Sequence, residues 1–97
     1  MSTITVTVTA YHPHGLAATG FAKRIENVDA SYLTVETAET ARELADRFDS
    51  PTLANFVVVV VVGENSHSVI IGRPTLNLEM TKFMDEVCEV NGIKPLF

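Results

Sequence analysis

The chain has 97 residues, 46% of them hydrophobic and 20% charged, with twelve acidic side chains against seven basic ones and a formal net charge of −5. That length and apolar content suit one domain with its own core and argue against disorder, while the few, dispersed cations argue against direct nucleic-acid binding, which rests on cations displacing counterions around phosphates. The lone cysteine, Cys88, cannot close an internal disulfide, no basic-apolar leader pattern opens the chain, and the longest apolar run, Phe56 to Val62, falls far short of the ~20 residues of a membrane-crossing helix, so a cytoplasmic protein without membrane contact is expected.

Thr3 to Tyr11 alternates threonines with Ile4, Val6, Val8 and Ala10, the period-two pattern of a half-buried strand. It stops at His12-Pro13-His14-Gly15, where proline removes a ladder donor and glycine frees the backbone. Leu16 to Ser31 supports two readings. A helix would align Ala17, Phe21, Ile25 and Val28 but carry Gly20 in its middle, at a cost of about 1 kcal/mol. The preferred reading is a strand from Phe21 to Glu26, a turn at Asn27-Val28-Asp29 and a third strand over Tyr32 to Val35, where aromatic and β-branched residues gather.

From Thr37 the period becomes helical through Ala41, Leu44, Ala45 and Phe48, with Thr37 or Thr40 as cap and Glu43 completing a capping box. This predicts a helix over 38–48, laced by Arg42–Asp46 and Glu43–Arg47 pairs at i,i+4. Asp49-Ser50-Pro51 ends it, and the valine strand then turns through Gly63-Glu64-Asn65-Ser66 into a strand at 68–72. After Arg73-Pro74, an apolar stripe of Leu76, Met80, Phe83, Met84, Val87 and Cys88 marks a second helix, from Leu76 or Asn77 to Asn91, with Gly92 as its stop. The expected fold is a single α+β domain over residues 1–97. It is a mostly antiparallel sheet of four to five strands with two helices on one face, in the order β-β-β-α-β-β-α, or β-α-β-α-β-β-α should residues 16–28 be helical.

Side chains alternate across a strand, so Val57, Val59 and Val61 point to one face and Val58, Val60 and Val62 to the other. Exposing three valines forfeits roughly 1.5 kcal/mol each, which asks for two dry faces. Two helices cover one. In the strand reading of residues 16–28 a second copy covers the other, so Val58, Val60 and Val62 are expected in the core or a dimer contact of a homodimer.

Chemistry-bearing residues are sparse. His12 and His14 could face one way on extended backbone, and with His67 would make a metal or ligand site, near Tyr11 and with Arg73 as an anion hook. Gly15 and Gly20 have the spacing of a phosphate loop, but Phe21 and Ala22 stand where Lys and Ser or Thr are needed. Ser66-His67-Ser68 places hydroxyls beside a base, yet strand neighbours point to opposite faces. Cys88 reads as a packed thiol and the threonine row as a solvated strand face. Asp85, Glu86 and Glu89 are more telling, because they crowd the last turns of a helix, where the carbonyl ends already carry negative charge and cations would be stabilising.

These features point to a non-catalytic, small acidic protein–protein interaction module needing no cofactor. It would regulate or inhibit a basic-surfaced, for example nucleic-acid-binding, partner through Glu79, Asp85, Glu86 and Glu89. The alternative is a small-ligand- or metal-binding protein, or an enzyme, using His12, His14 and His67.

Overall fold

The computed structural model describes residues 3–12, 20–48 and 53–93. Strand β1 (Ile4–Tyr11) buries Ile4, Val6, Val8 and Ala10 and leaves its threonines half-exposed, as period two demands. Strand β2 (Gly20–Ile25) runs antiparallel to it, with Val6 opposite Ile25 and Tyr11 opposite Gly20. This supports the strand reading of Phe21 to Glu26; residues 13–19 lie outside the described segments. Asn27 takes a left-handed φ of 55° to turn the chain, and the amide of buried Val28 donates to the Ile4 carbonyl at 3.0 Å.

The third strand expected at Tyr32 to Val35 is instead helix. The Asp29 carboxylate accepts from the Ser31 amide at 2.9 Å, Ala30–Tyr32 forms a 3₁₀ turn, and helix α1 (Leu33–Ala45) follows directly. Burial of Leu33, only 1% exposed, overrides the local β preference, while Tyr32 and Val35 face solvent. Neither threonine caps the helix. The Thr37 hydroxyl donates to the Leu33 carbonyl at 2.7 Å, one turn back, and Thr40 sits mid-helix on the buried side. The two i,i+4 pairs expected on α1 are absent as well. Arg42 donates to Asn77 Oδ1 at 2.9 Å, Glu43 meets Lys23 at 3.9 Å, and the Arg47 guanidinium lies 5.3 Å from the centroid of the Phe21 ring.

Strand β3 (Asn55–Val62) pairs antiparallel with β1, Val60 opposite Val6. The two-residue turn Gly63-Glu64, with Gly63 at φ 60°, leads into strand β4 (Asn65–Gly72). A glycine with positive φ at the first turn position is the type II′ signature. A 3₁₀ turn at Arg73–Thr75 hands over to helix α2 (Leu76–Val90). The sheet order is β2-β1-β3-β4, all neighbours antiparallel, and the element order is ββαββα. The result is a small α+β domain with four strands and both helices on one face.

Only one face of the valine strand is dry. Val58 and Val60 are 0% exposed and Val62 4%, all beneath the helices, so these three are core residues. Val57, Val59 and Val61 are half-buried, and no described element packs on them. The expectation of two dry faces fails within one copy because the cross-strand neighbours of each valine, threonines on β1 and Ser66, Ser68 and Ile70 on β4, shield it only in part.

Candidate interaction site

Helix α2 points Leu76, Met80, Phe83, Met84, Val87 and Cys88 inward, which fixes where its charges go. At 100° per residue, Asp85 and Glu89 fall on the outward crest, while Glu79 and Glu86 fall on the flank beside β4. All four are exposed, and none makes an ion pair among the described residues. No cation occupies the last turn of α2, so the clash with the helix dipole inferred from sequence stands uncompensated. Between that flank and β4 runs a furrow in two adjoining stretches of about 270 and 260 Å³. Both stretches share Val69, Phe83 and Glu86.

The charge is distributed unevenly at the scale of the fold. Helices α1 and α2 together hold seven acidic residues against Arg42 and Lys82, a balance equal to the chain's whole −5. The opposite, open sheet face carries Thr5, Thr7 and Thr9, then Val57, Val59 and Val61, then Ser66, Ser68 and Ile70. Arg24, paired with Glu26 at 3.2 Å, is the single charged residue on the strand positions of that face.

His12 and His67 are not gathered. His67 lies opposite Val60, itself opposite Val6, six residues from His12, so at ~3.3 Å per residue the two are ~20 Å apart along the strands, beyond the reach of a shared ion. His12 sits at the other sheet end, its ring 6.1 Å from that of Phe48, and His14 lies outside the described residues. His67 has a structural task. Asn91 Nδ2 lies 2.7 Å from the Val87 carbonyl, which identifies it as the donor nitrogen, and 3.0 Å from His67 Nε2. The neutral tautomer with its proton on Nδ1 accepts that bond. Asn91 Oδ1 accepts from Asn65 at 2.9 Å, so the amide ties the end of α2 to the start of β4. Nothing in the sequence pattern signals this clamp.

Arg73, half-exposed, lies in the 3₁₀ turn, its amide bonded to the Ala54 carbonyl at 3.0 Å, on the same sheet end as Tyr11. Ser66 and Ser68 face the open side of the sheet, away from His67, which removes the hydroxyl–base arrangement. Burial pushes the Cys88 thiol up, with the Asp85 charge adding to it, the reverse of what activates a nucleophile. Among the described residues no three His, Cys, Asp or Glu side chains come together as metal ligands. None of their helices is long and apolar enough to cross a membrane.

Comparison with family models, curated proteins and solved structures finds no match for this chain.

Proposed function

We propose that the protein is a non-catalytic interaction module of the cytoplasm that turns its acidic helical layer toward a basic-surfaced protein, acting as its regulator or inhibitor, and that the open sheet face, where Arg24 is the one charged strand position, joins two copies into a homodimer. The observation that carries this is the concentration of the net charge of −5 in the two helices, with Glu79, Asp85, Glu86 and Glu89 exposed and making no ion pair among the described residues. A field of one sign on one face steers a partner of opposite sign and fixes its orientation. A nucleic-acid-binding protein is one such partner, since its own surface is built to meet negative charge.

The test is capture from an extract of the source cells, comparing wild type with a variant carrying Asp85→Lys, Glu86→Lys and Glu89→Lys. Wild type should retain a basic protein that elutes with rising salt, and the variant should lose it while keeping its circular dichroism spectrum. Equal retention by a folded variant would remove the acidic helix from the function.

A further inference from the structure

We infer that the free edge of β4 receives an extended, basic segment of the partner, which adds as a fifth strand and lays alternate side chains into the furrow beside α2. This rests on the reading of the molecule as an acidic interaction module and names where and how its partner binds. Among the described residues the sheet has two edges, β2 and β4, and they differ. On β2, six residues long, Lys23 and Arg24 are charged and engaged by Glu43 and Glu26, the kind of charge that blunts a strand edge. On β4, eight residues long, there is no charge and no proline, and Ile70 is 65% exposed. Such an edge is a pairing template unless something is meant to pair with it.

The backbone register shows which groups are on offer. Across a two-residue hairpin turn the flanking pair, Val62 with Asn65, is a hydrogen-bonded one, and bonded pairs then alternate along the ladder. His67, Val69 and Ile71 therefore spend their amides and carbonyls on β3, whereas those of Ser66, Ser68 and Ile70 point outward. A strand docked there sends every second side chain toward the helix layer, into the furrow formed by Val69, Phe83, Val87 and Val90. Glu79 and Glu86 flank that furrow, and Lys82 is its only lining cation.

Charge selects the occupant. Two copies of this chain joined edge to edge would bring Glu79 and Glu86 of one α2 beside those of the other, whereas Lys or Arg on an incoming segment offsets them. The fitting ligand is thus an extended peptide alternating apolar and basic residues.

A displayed random-peptide library panned on the intact protein tests this. The selected peptides should alternate apolar residues with Lys or Arg, and on binding they should slow hydrogen exchange at the Ser68 and Ile70 amides of the wild-type protein. Glu79→Lys with Glu86→Lys should weaken them roughly tenfold. Ser68→Pro should abolish their binding, since it removes an outward donor without touching the β3 ladder. Peptides that leave those two amides unprotected, or a library yielding nothing above an unrelated control protein, overturn the strand-addition mode. If Ser68→Pro captures the cellular partner as well as wild type does, the edge is wrong and the acidic module stands. If the helix charge reversal captures it equally, the module reading itself has failed.

Discussion

The thiol of Cys88 is 6% exposed on the inner flank of α2, and burial first, the Asp85 charge second, raises its pKa above the ordinary value of 9.0. The unfolded chain, with the lower pKa, gives up this proton at lower pH than the native protein. The group therefore contributes stability that is complete below pH 9.0 and is lost as pH rises through the higher native pKa. Urea unfolding across neutral and alkaline pH should show wild type losing stability more steeply than Cys88→Ala above that point, with no difference in slope below it. Equal alkaline slopes would detach the effect from this residue. The same burial should make native Cys88 slow toward a thiol reagent and the unfolded chain fast.

At the scale of elements, the end of α2 shows how a stop signal becomes geometry. Gly92 adopts φ 66°, its amide donates to the Glu89 carbonyl at 3.3 Å, and the Ile93 amide reaches back to the Cys88 carbonyl at 2.8 Å. These are the paired bonds of a Schellman motif, with Ile93 packed against the core as its hydrophobic partner. A Cβ at Gly92 would meet nothing within 4 Å, so replacing it tests conformation alone. Gly92→Ala should cost about 1 kcal/mol in chemical denaturation, and Gly92→Asn less. A neutral Gly92→Ala would mean that the left-handed turn is not maintained in solution. This helix was legible because its stripe is made of Leu, Met, Phe and Val and its stop is a glycine. The start of α1 was not legible, because the stripe that runs from Leu33 through Thr37 and Ala41 to Leu44 places a threonine where an apolar residue is sought. A threonine that donates to its own helix can be buried, and only the contact of Leu33 with the core distinguishes that from a strand. Asp85, Glu86 and Glu89 could be singled out from the dipole rule alone, whereas Glu79 sits in the first turn, where the dipole favours an acid. The free edge of β4 could not, since which strand ends a sheet is a fact of topology and not of local pattern.

The described residues form one ββα unit followed by another, and six buried positions of the two helices correspond at a constant offset, Leu33 with Leu76, Thr37 with Met80, Thr40 with Phe83, Ala41 with Met84, Leu44 with Val87 and Ala45 with Cys88, while buried Ala38 matches exposed Thr81. The likeness lies mostly in position: only Leu33 and Leu76 are identical, while Thr37, Thr40 and Ala41 on α1 stand against the much larger Met80, Phe83 and Met84 on α2, which is why no repeat shows in the sequence. This arrangement puts all helices on one side and leaves Val57, Val59, Val61 and Ile70 on the other. Stacked face to face about an axis along β3, the copies overlap over β1, β3 and β4, a patch of ~26 by ~14 Å from strand rise and spacing, so together they cover roughly 700 Å² in footprint, the size of a weak, reversible interface. A two-fold axis along β3 would set the valine row on itself and Thr5 and Thr7 of β1 over the two serines of the partner's β4, with Thr9 at the level of the isoleucine beside them. With ~10 Å between packed layers, the acidic helices of such a dimer lie roughly 30 Å apart, well beyond the ~8 Å Debye length at physiological salt, so the charge of −5 on each copy does not oppose assembly. Sedimentation velocity should therefore show a reversible dimer in the micromolar range. Val59→Lys should hold the protein monomeric at every concentration while changing monomer stability by under about 1 kcal/mol, because the side chain is already half in water. Its neighbour Val60 is 0% exposed on the helix side, so Val60→Ala should cost about 2 kcal/mol of stability and leave the monomer–dimer constant of the folded protein unchanged. A wild type that stays monomeric throughout, or a Val59→Lys variant that sediments as the wild type does, would take the open sheet face out of the assembly and leave its valines simply exposed.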